Sequence, residues 1–248
     1  PAGPGLVCVH VAHHDLGTVQ DLVQARVLAN SVKAQLFLDG TFGAGWIDLP
    51  RELEGVDLLA VSGHRLGGPK GSGLLWVRSG TAWKAQLEGG RQENDQRAGT
   101  ENLPAIAGLG AALQEWNRDA GKFRKCARES QEVLWREIRK KVSSAKLHGP
   151  EPGPERSPAH LGLSFAGLEA ESLALVLDRV GVVARGGSGC VTREMRIPPG
   201  MRAIGATPEE ARSLILFTLG RETRASQMAL AAQRVADAVL RLSDAFAM

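Results

Sequence analysis

Cys190 lies in a glycine-rich stretch where a cysteine could act as a nucleophile. The stretch reads RGGSGCV and begins at Arg185. A neighbouring positive charge lowers the pKa of a thiol, and the thiolate is the form that attacks electrophiles. Cys190 is therefore a candidate nucleophile, and an incidental loop cysteine is an equally good interpretation of these residues alone.

The stretch HVAHHDLG places three histidines, His10, His13 and His14, in five positions. Imidazole groups at such spacing could ligate a metal ion. We expect no metal, because alternation along a strand would place His13 and His14 on opposite sides. No thiolate or acidic partner is obviously fixed beside them.

Asp39 and the pair His64–Arg65 each follow an apolar run that predicts a buried strand. In α/β folds, ligands collect beyond the carboxyl ends of strands. The Asp39 carboxylate could hold a protonated ring nitrogen there, or it could cap a turn or helix. The stretch SGHRLGGPKGSG lacks P-loop spacing, and a strand follows it where a P-loop needs a helix. It therefore argues against nucleotide binding.

Strands alternating with a helix must position these side chains. Between the first two strands, apolar residues recur at helical spacing, and Thr18 with Asp21 predicts a capping box. This order predicts an α/β domain with a mostly parallel sheet and helical cover. The apolar runs predict buried strands over residues 6–12, 35–40, 56–61 and 73–78.

The sequence pattern changes at residue 103, where a long helical pattern begins. Residues 103–142 predict two helices or one bent helix, and residues 149–158 are rich in Pro and Gly, which predicts a loop. A strand, a helix, a short strand, a further strand and a final helix with an apolar stripe follow. We place a boundary near residue 118, which leaves 119–248 as a small α+β domain.

Composition excludes several classes of function. With 43% hydrophobic residues, the chain can bury a core, and a net charge of +3 without a basic run argues against nucleic-acid binding. Three widely spaced cysteines argue against a disulfide framework and fit a reducing compartment. We therefore expect a cytoplasmic protein. No apolar stretch approaches the ~18 residues of a membrane span, so no membrane association is expected.

Taken in order, six stretches resemble the cysteine desulfurases. These are pyridoxal-phosphate (PLP) enzymes of the class V aminotransferase group, with the selenocysteine lyases as near relatives. The resemblance implies a PLP-dependent transferase-like fold, with residues 1–118 as the C-terminal portion of the PLP-binding large domain. The chain is expected to lack the family's N-terminal region. The matching stretches are HVAHHDLGTVQDL, FLDGTFGAG, SGHRLGGPKGSGLLWVR, GGRQENDQRAGTENLPAIAGLGAA, GGSGC and SLILFTLGR.

The resemblance implies a role for several residues. Asp39 matches the aspartate that pairs with the cofactor's pyridine nitrogen, and Ser62 and His64 match residues that bind the cofactor phosphate. Thr100 matches a threonine that reaches the phosphate of the neighbouring subunit, which implies a dimer. Cys190 matches the loop cysteine that takes sulfur from the substrate as a persulfide.

The sequence departs from the family pattern at positions that carry the family's chemistry. Arg65 stands at the position of the lysine to which the cofactor is attached, and Leu216 at that of the arginine that holds the substrate carboxylate. The asparagine that contacts the cofactor's ring hydroxyl falls within His13–His14, and a glutamine is replaced by Phe42. A guanidinium stays protonated in proteins, so it cannot replace the lysine amine. Leucine provides no bidentate recognition of a carboxylate.

The resemblance therefore implies a cysteine desulfurase-like or selenocysteine lyase-like protein for sulfur or selenium mobilisation, with catalysis impaired at Arg65 and Leu216. PLP is the implied cofactor, without a covalent bond. Two alternatives stay open: a non-catalytic desulfurase-like subunit or scaffold, and a PLP-independent carrier of persulfide sulfur through Cys190. The expected partners are a second copy, a desulfurase relative or the missing N-terminal part, and a sulfur acceptor protein.

Overall fold

The computed structural model describes residues 5–49, 53–187 and 197–246, which form two compact units. The first unit combines the described residues up to Val11 with those of Gln20–Ala120. The second combines Ala12–Val19 with the described residues from Gly121 onward. The expected boundary near residue 118 did not anticipate that Ala12–Val19 belong to the second unit.

A four-stranded sheet organises the first unit. The strands β1, β2 and β3 pair in parallel, and β4 pairs antiparallel to β3. The mostly parallel sheet predicted from the apolar runs is therefore confirmed. In spatial order, which is also chain order, the strands are β1 (Leu6–His10), β2 (Gln35–Asp39), β3 (Leu58–Ser62) and β4 (Gly73–Val77).

The register of the parallel strands aligns their carboxyl ends. His10 pairs with Asp39, and Asp39 pairs with Ala60. Hydrogen bonding continues past the strand ends, where Val11 N donates to Asp39 O at 2.9 Å and Gly40 N donates to Ala60 O at 2.8 Å. Side chains that end these strands therefore lie at one edge of the sheet, the edge at which α/β folds bind ligands.

Helix α1 (Leu22–Ser31) begins after Asp21, whose carboxylate accepts hydrogen bonds from two backbone N–H groups of the first turn. The capping box predicted for Thr18 and Asp21 was wrong in its first residue, because Thr18 forms a β-bridge with Arg156 instead. The helix buries its small residues in the core that it shares with β1, β2 and β3.

Helix α3 (Leu103–Lys141) is assigned as one helix of 39 residues, where the sequence predicted two helices or one bent helix. It follows α2 (Gln92–Asp95), a single turn in which Glu93, Asn94 and Asp95 have positive φ angles. The Asn102 side chain accepts a hydrogen bond from Ala105 N at 3.2 Å and so satisfies one N–H group at the start of α3. The residues of α3 up to Ala120 belong to the first unit.

An antiparallel sheet with the strand order β5-β6-β8-β7 forms the centre of the second unit. Every residue of β6 is buried, so this strand lies within the core. The sequence predicted β6, β7 and β8 and missed β5, whose three residues are too few to show a periodicity. The strands are β5 (Ala145–Leu147), β6 (His160–Phe165), β7 (Arg185–Gly186) and β8 (Leu214–Thr218).

Helices pack around this sheet and complete the α+β unit. The apolar stripe predicted for the final helix is confirmed in its first part, where Met228, Ala232, Val235 and Val239 are buried. Over the residues that the structure describes, no helix has both the length and the apolar character needed to cross a membrane. Besides the end of α3, the described helices are α4 (Ala170–Arg179), α5 (Pro199–Ala203), α6 (Pro208–Arg212) and α7 (Ala225–Phe246).

Backbone contacts beside the buried residue Arg156 hold the segment Ala12–Val19 in the second unit. Arg156 is fully buried and donates hydrogen bonds to three backbone carbonyl groups around it. Burial lowers the pKa of Arg156 to about 10, which still leaves it charged at neutral pH. Beside it, Val19 N donates to Glu155 O at 2.8 Å. The backbone contacts of Thr18 with Arg156 and of Val19 with Glu155 attach the segment to the second unit.

His160 at the start of β6 gives the second unit a predictable dependence on pH. Burial, reinforced by the positive charge of Arg156, lowers the pKa of His160 from 6.5 to about 3. Between these values the unfolded chain binds a proton that the folded chain excludes, so the stability falls as the pH is lowered. We expect His160 to contribute a loss of about 1.4 kcal/mol per pH unit below 6.5.

Urea unfolding of the unmodified protein and of His160→Gln, above pH 6.5 and about one unit below it, measures this contribution. His148 also has a pKa lowered by burial, but it is present in both proteins and cancels in the comparison. The unmodified protein should lose more stability on acidification than His160→Gln. Equal losses would show that His160 is not held neutral by the fold.

Candidate functional site

The Asp39 side chain lies at the carboxyl end of β2. Its Oδ1 atom accepts a hydrogen bond from Thr41 N at 2.9 Å. Its Oδ2 atom lies 3.7 Å from Nε2 of His10, at the end of β1. Of the two interpretations that the sequence left open, the turn cap is thus observed for Oδ1. The side chain is still 34% exposed, so Oδ2 is available to a ligand that enters at this edge.

Ser62 and His64 lie at the same edge, at the end of β3. His64 is in the 3-10 turn Gly63–Leu66, and its Nδ1 atom lies 2.9 Å from Ser62 Oγ, within hydrogen-bond distance. The turn ends at Gly67, whose φ of 87° is a left-handed conformation that favours glycine. A hydroxyl and an imidazole side by side are hydrogen-bonding groups of the kind that bind phosphate oxygens.

Arg65, in the same turn, lies over the ring of Phe42. The centre of its guanidinium group is 4.1 Å from the ring centroid, which is the geometry of a cation–π contact. Such a contact is worth about 0.5–1 kcal/mol at an exposed site. The two residues that replace a lysine and a glutamine in the family pattern therefore contact each other.

A tryptophan from α3 fixes the position of this turn. Trp116 Nε1 donates to Leu66 O at 2.8 Å, and both residues are buried. The Trp116 ring packs edge-on against Trp46, with 4.8 Å between the ring centroids. These positioning residues were not predicted from the sequence. Their signal was the number of tryptophans, five in an otherwise aromatic-poor chain.

Thr100 is exposed on the loop that precedes α3. Neighbouring Gly99 N donates to the Gln92 side chain at 3.1 Å, so the loop is held partly by its own residues. The assigned role of Thr100 concerns a neighbouring subunit and stays a prediction. Cys190, the candidate nucleophile, lies outside the described residues.

Leu216 belongs to the core of the second unit. It lies in β8 and is 1% exposed, within an apolar cluster that includes Leu16, Met201 and Leu214. The family arginine that corresponds to this position would bind a carboxylate, whereas Leu216 packs against apolar side chains. The role of this position in binding substrate therefore stays a prediction based on the resemblance alone.

His13 and His14 lie face to face rather than on opposite sides of a strand. Their ring centroids are 4.8 Å apart and the ring planes differ by 10°. The strand argument used against a metal was wrong, because β1 ends at His10 and the chain then turns back on itself. Within that turn, Ala12 forms an antiparallel bridge with Val19.

Comparison with known proteins agrees with this arrangement. The family model of the class-V aminotransferases matches residues 2–228. The chain belongs to this family. A cysteine desulfurase IscS 1 of Archaeoglobus fulgidus is 36% identical over 222 residues, which are 87% of this chain and 56% of that protein. A cysteine desulfurase IscS of Dictyoglomus turgidum is 34% identical over 87% of this chain and 54% of its own. The chain thus spans about half the length of these curated relatives.

Solved structures support the fold of this class-V family member. A NifS-like protein superposes with a TM-score of 0.79 at 23% identity, over 96% of this chain and 61% of its own. The apo structure of a cysteine desulfurase from Thermococcus onnurineus superposes with a TM-score of 0.76 at 19% identity, over 97% of this chain and 61% of its own. The PLP-dependent transferase-like fold is therefore confirmed.

PLP is the cofactor that membership of this family implies. The residues of the first unit fit the cofactor in two respects and not in a third. Asp39 Oδ2 can accept a hydrogen bond from a protonated ring nitrogen, and Ser62 with His64 can bind a phosphate. Arg65 provides no amine for a covalent bond, because a guanidinium stays protonated.

The burial of Leu216 leads to a stability prediction. Leu216→Arg should lower the free energy of unfolding by at least about 3 kcal/mol, because it buries a charge without a partner. Leu216→Met keeps the volume and apolar character and should cost less than about 1.5 kcal/mol. Urea unfolding of both variants measures the difference. If Leu216→Arg were as stable as Leu216→Met, the position would open to solvent or to a ligand.

Proposed function

We propose that this class-V family member is a cysteine desulfurase-like or selenocysteine lyase-like protein in which PLP-dependent catalysis is impaired. The observation that carries the proposal is the contact between Arg65 and Phe42. The group that replaces the lysine does not merely lack an amine. It is also held against a second altered side chain, within the turn that Trp116 fixes.

Acid–base chemistry is the physical basis of the impairment. A covalent bond to the carbonyl group of PLP needs an amine that can lose its proton, which lysine does readily when it is buried. Arginine does not, since its guanidinium stays charged at neutral pH. Bound PLP would act as an electron sink for an amino-acid substrate. Arg65 can offer this chemistry only a fixed positive charge.

The remaining groups could hold the cofactor without a covalent bond. Asp39 would pair with the ring nitrogen, and Ser62 and His64 would donate hydrogen bonds to the phosphate. Hydrogen bonds to charged groups contribute about 1.5–3 kcal/mol each. Noncovalent retention is therefore the form of PLP binding that we propose. The partner assignments, including the dimer and the sulfur acceptor, stay predictions of the resemblance.

Sulfide release from L-cysteine in the presence of PLP tests the proposal. The unmodified chain should stay close to background. Arg65→Lys should recover only part of the activity, and Arg65→Lys with Phe42→Gln should recover more, because the second change returns a polar side chain beside the amine. Both should remain about 10- to 100-fold below a desulfurase relative in kcat/KM, since the carboxylate-binding arginine is missing.

Lys70→Gln is the matched control, because it removes the lysine nearest in sequence to Arg65. It should leave the background rate of the unmodified chain unchanged. Sulfide release by the unmodified chain at the rate of its relatives would refute the proposed impairment. A rate that disappeared in Lys70→Gln would assign the missing amine to Lys70 instead.

A further inference from the structure

The outer side of β1 carries backbone groups that have no strand beside them. In the described part of the chain, β1 is at the edge of the first sheet. Gln35 N of β2 donates to Gly5 O at 3.2 Å. Because every second residue of a strand bonds to the same neighbour, Leu6 and Cys8 direct their N–H and C=O groups away from β2. The strand LVCVH contains neither lysine nor proline, with which proteins commonly protect an edge, so it can accept a further strand.

The side chains of β1 show that the two faces of the sheet differ. Val7 and Val9 pack against the core that the sheet shares with α1. The alternate residues Leu6 and Cys8 are exposed, Leu6 by 45%. Parallel sheets occur almost only with both faces covered, usually by helices. The exposure of Leu6 and Cys8 therefore shows that the layer over their face is incomplete in the described part of the chain.

An apolar row crosses the sheet on this face, which we call the open face. Cys8 pairs with Phe37, Phe37 with Leu58, and Leu58 with Val77, so each of the four strands contributes one residue. Phe37 and Val77 are only half-buried, and Leu75 on the same face of β4 is 44% exposed. Four strands spaced about 4.8 Å apart span about 14 Å. The row is therefore wide enough to seat a helix, whose diameter is about 10–12 Å.

A second copy of this chain cannot satisfy the edge and the open face with one contact. Antiparallel pairing of two β1 strands about a two-fold axis would fill both edges, but it would extend the sheet and leave both open faces uncovered. Packing two open faces against each other would cover the apolar rows and leave the edges unpaired. A partner that carries both a strand and an apolar helix satisfies the two features at once.

The length of the relatives indicates what this partner is. The match with IscS 1 of Archaeoglobus fulgidus covers 56% of that protein, and the superposition with the NifS-like protein covers 61% of that chain, so each contains a further part. We propose that the edge of β1 and the open face bind a polypeptide that carries this further part of the class-V fold. One of its strands would add to β1, and one of its helices would cover the row that contains Cys8 and Phe37. The proposal rests on family membership and on this surface, and not on the impairment proposed at Arg65.

Coexpression of this chain with a tagged polypeptide, made of the unmatched part of Archaeoglobus fulgidus IscS 1, tests the docking surface. The unmodified chain should copurify with the tagged polypeptide in equal amounts. Cys8→Glu should weaken the affinity by at least about tenfold, because it would place an unpaired charge beneath the partner. Cys8 is exposed in the free chain, so Cys8→Glu should keep the fold, which circular dichroism of the free variant checks.

Leu175→Glu is the matched control, because it places the same charge at an apolar residue of α4 that is 69% exposed and belongs to the second unit. It should bind the tagged polypeptide as tightly as the unmodified chain does. The proposal is overturned if the unmodified chain and the tagged polypeptide do not copurify, or if Cys8→Glu binds as tightly as Leu175→Glu.

Alkylation of the unmodified chain alone with iodoacetamide, followed by peptide mass analysis, tests the competing occupant. Cys8 should react at a rate that does not depend on the protein concentration, since the free chain leaves its thiol exposed. Protection of Cys8 that increases with the protein concentration would assign the surface to a second copy and would overturn the proposal.

Discussion

Parallel pairing of β1, β2 and β3 is the constraint on which the candidate site depends. The pairing brings the ends of all three strands to one edge, where His10, Asp39 and Ser62 follow one another across the sheet. Because the hydrogen bonds continue beyond the last paired residues, the edge is ordered at the positions that carry the polar groups. The turn that contains Arg65 lies at the same edge. The altered residues of the first unit, Arg65 and Phe42, therefore lie beside residues that still match the family pattern.

At this edge, the retained residues and the altered residues correspond to two different parts of the family's chemistry. Asp39, Ser62 and His64 match the residues that recognise the cofactor in the family pattern, and they keep the residue types that this recognition needs. Arg65 matches the lysine of the covalent step in the family pattern, and it places a permanent cation over the ring of Phe42. In the function that we propose, recognition and reaction are therefore uncoupled. The buried Leu216 extends the same separation to the second unit, where an apolar core holds a position that binds substrate in the family pattern.

Sequence reasoning succeeded where a pattern is local and repeated. Apolar runs located the strands of both sheets except β5, and the stripe in the first part of α7 followed from helical periodicity. It failed where a contact joins distant residues. Thr18 was expected to cap α1, but Arg156, far along the chain, pairs with it instead. The segment that carries His13 and His14 turns back on itself through the bridge between Ala12 and Val19, which invalidated the assumption of strand alternation.

The candidate site was predictable as a set of residues and not as a set of contacts. The resemblance identified Arg65 and Phe42 as separate departures, and only the structure shows that they meet. No spacing rule could have found the support from Trp116, since it joins residues that are 50 positions apart.

Borohydride reduction of the PLP-treated protein, followed by peptide mass mapping, tests the central claim most directly. It traps any covalent bond between the cofactor and a lysine and reports the residue that formed it. The account predicts no pyridoxyl adduct within residues 62–73 of the unmodified chain, and an adduct at position 65 in Arg65→Lys. An adduct on any residue of 62–73 in the unmodified chain, Lys70 included, would contradict it.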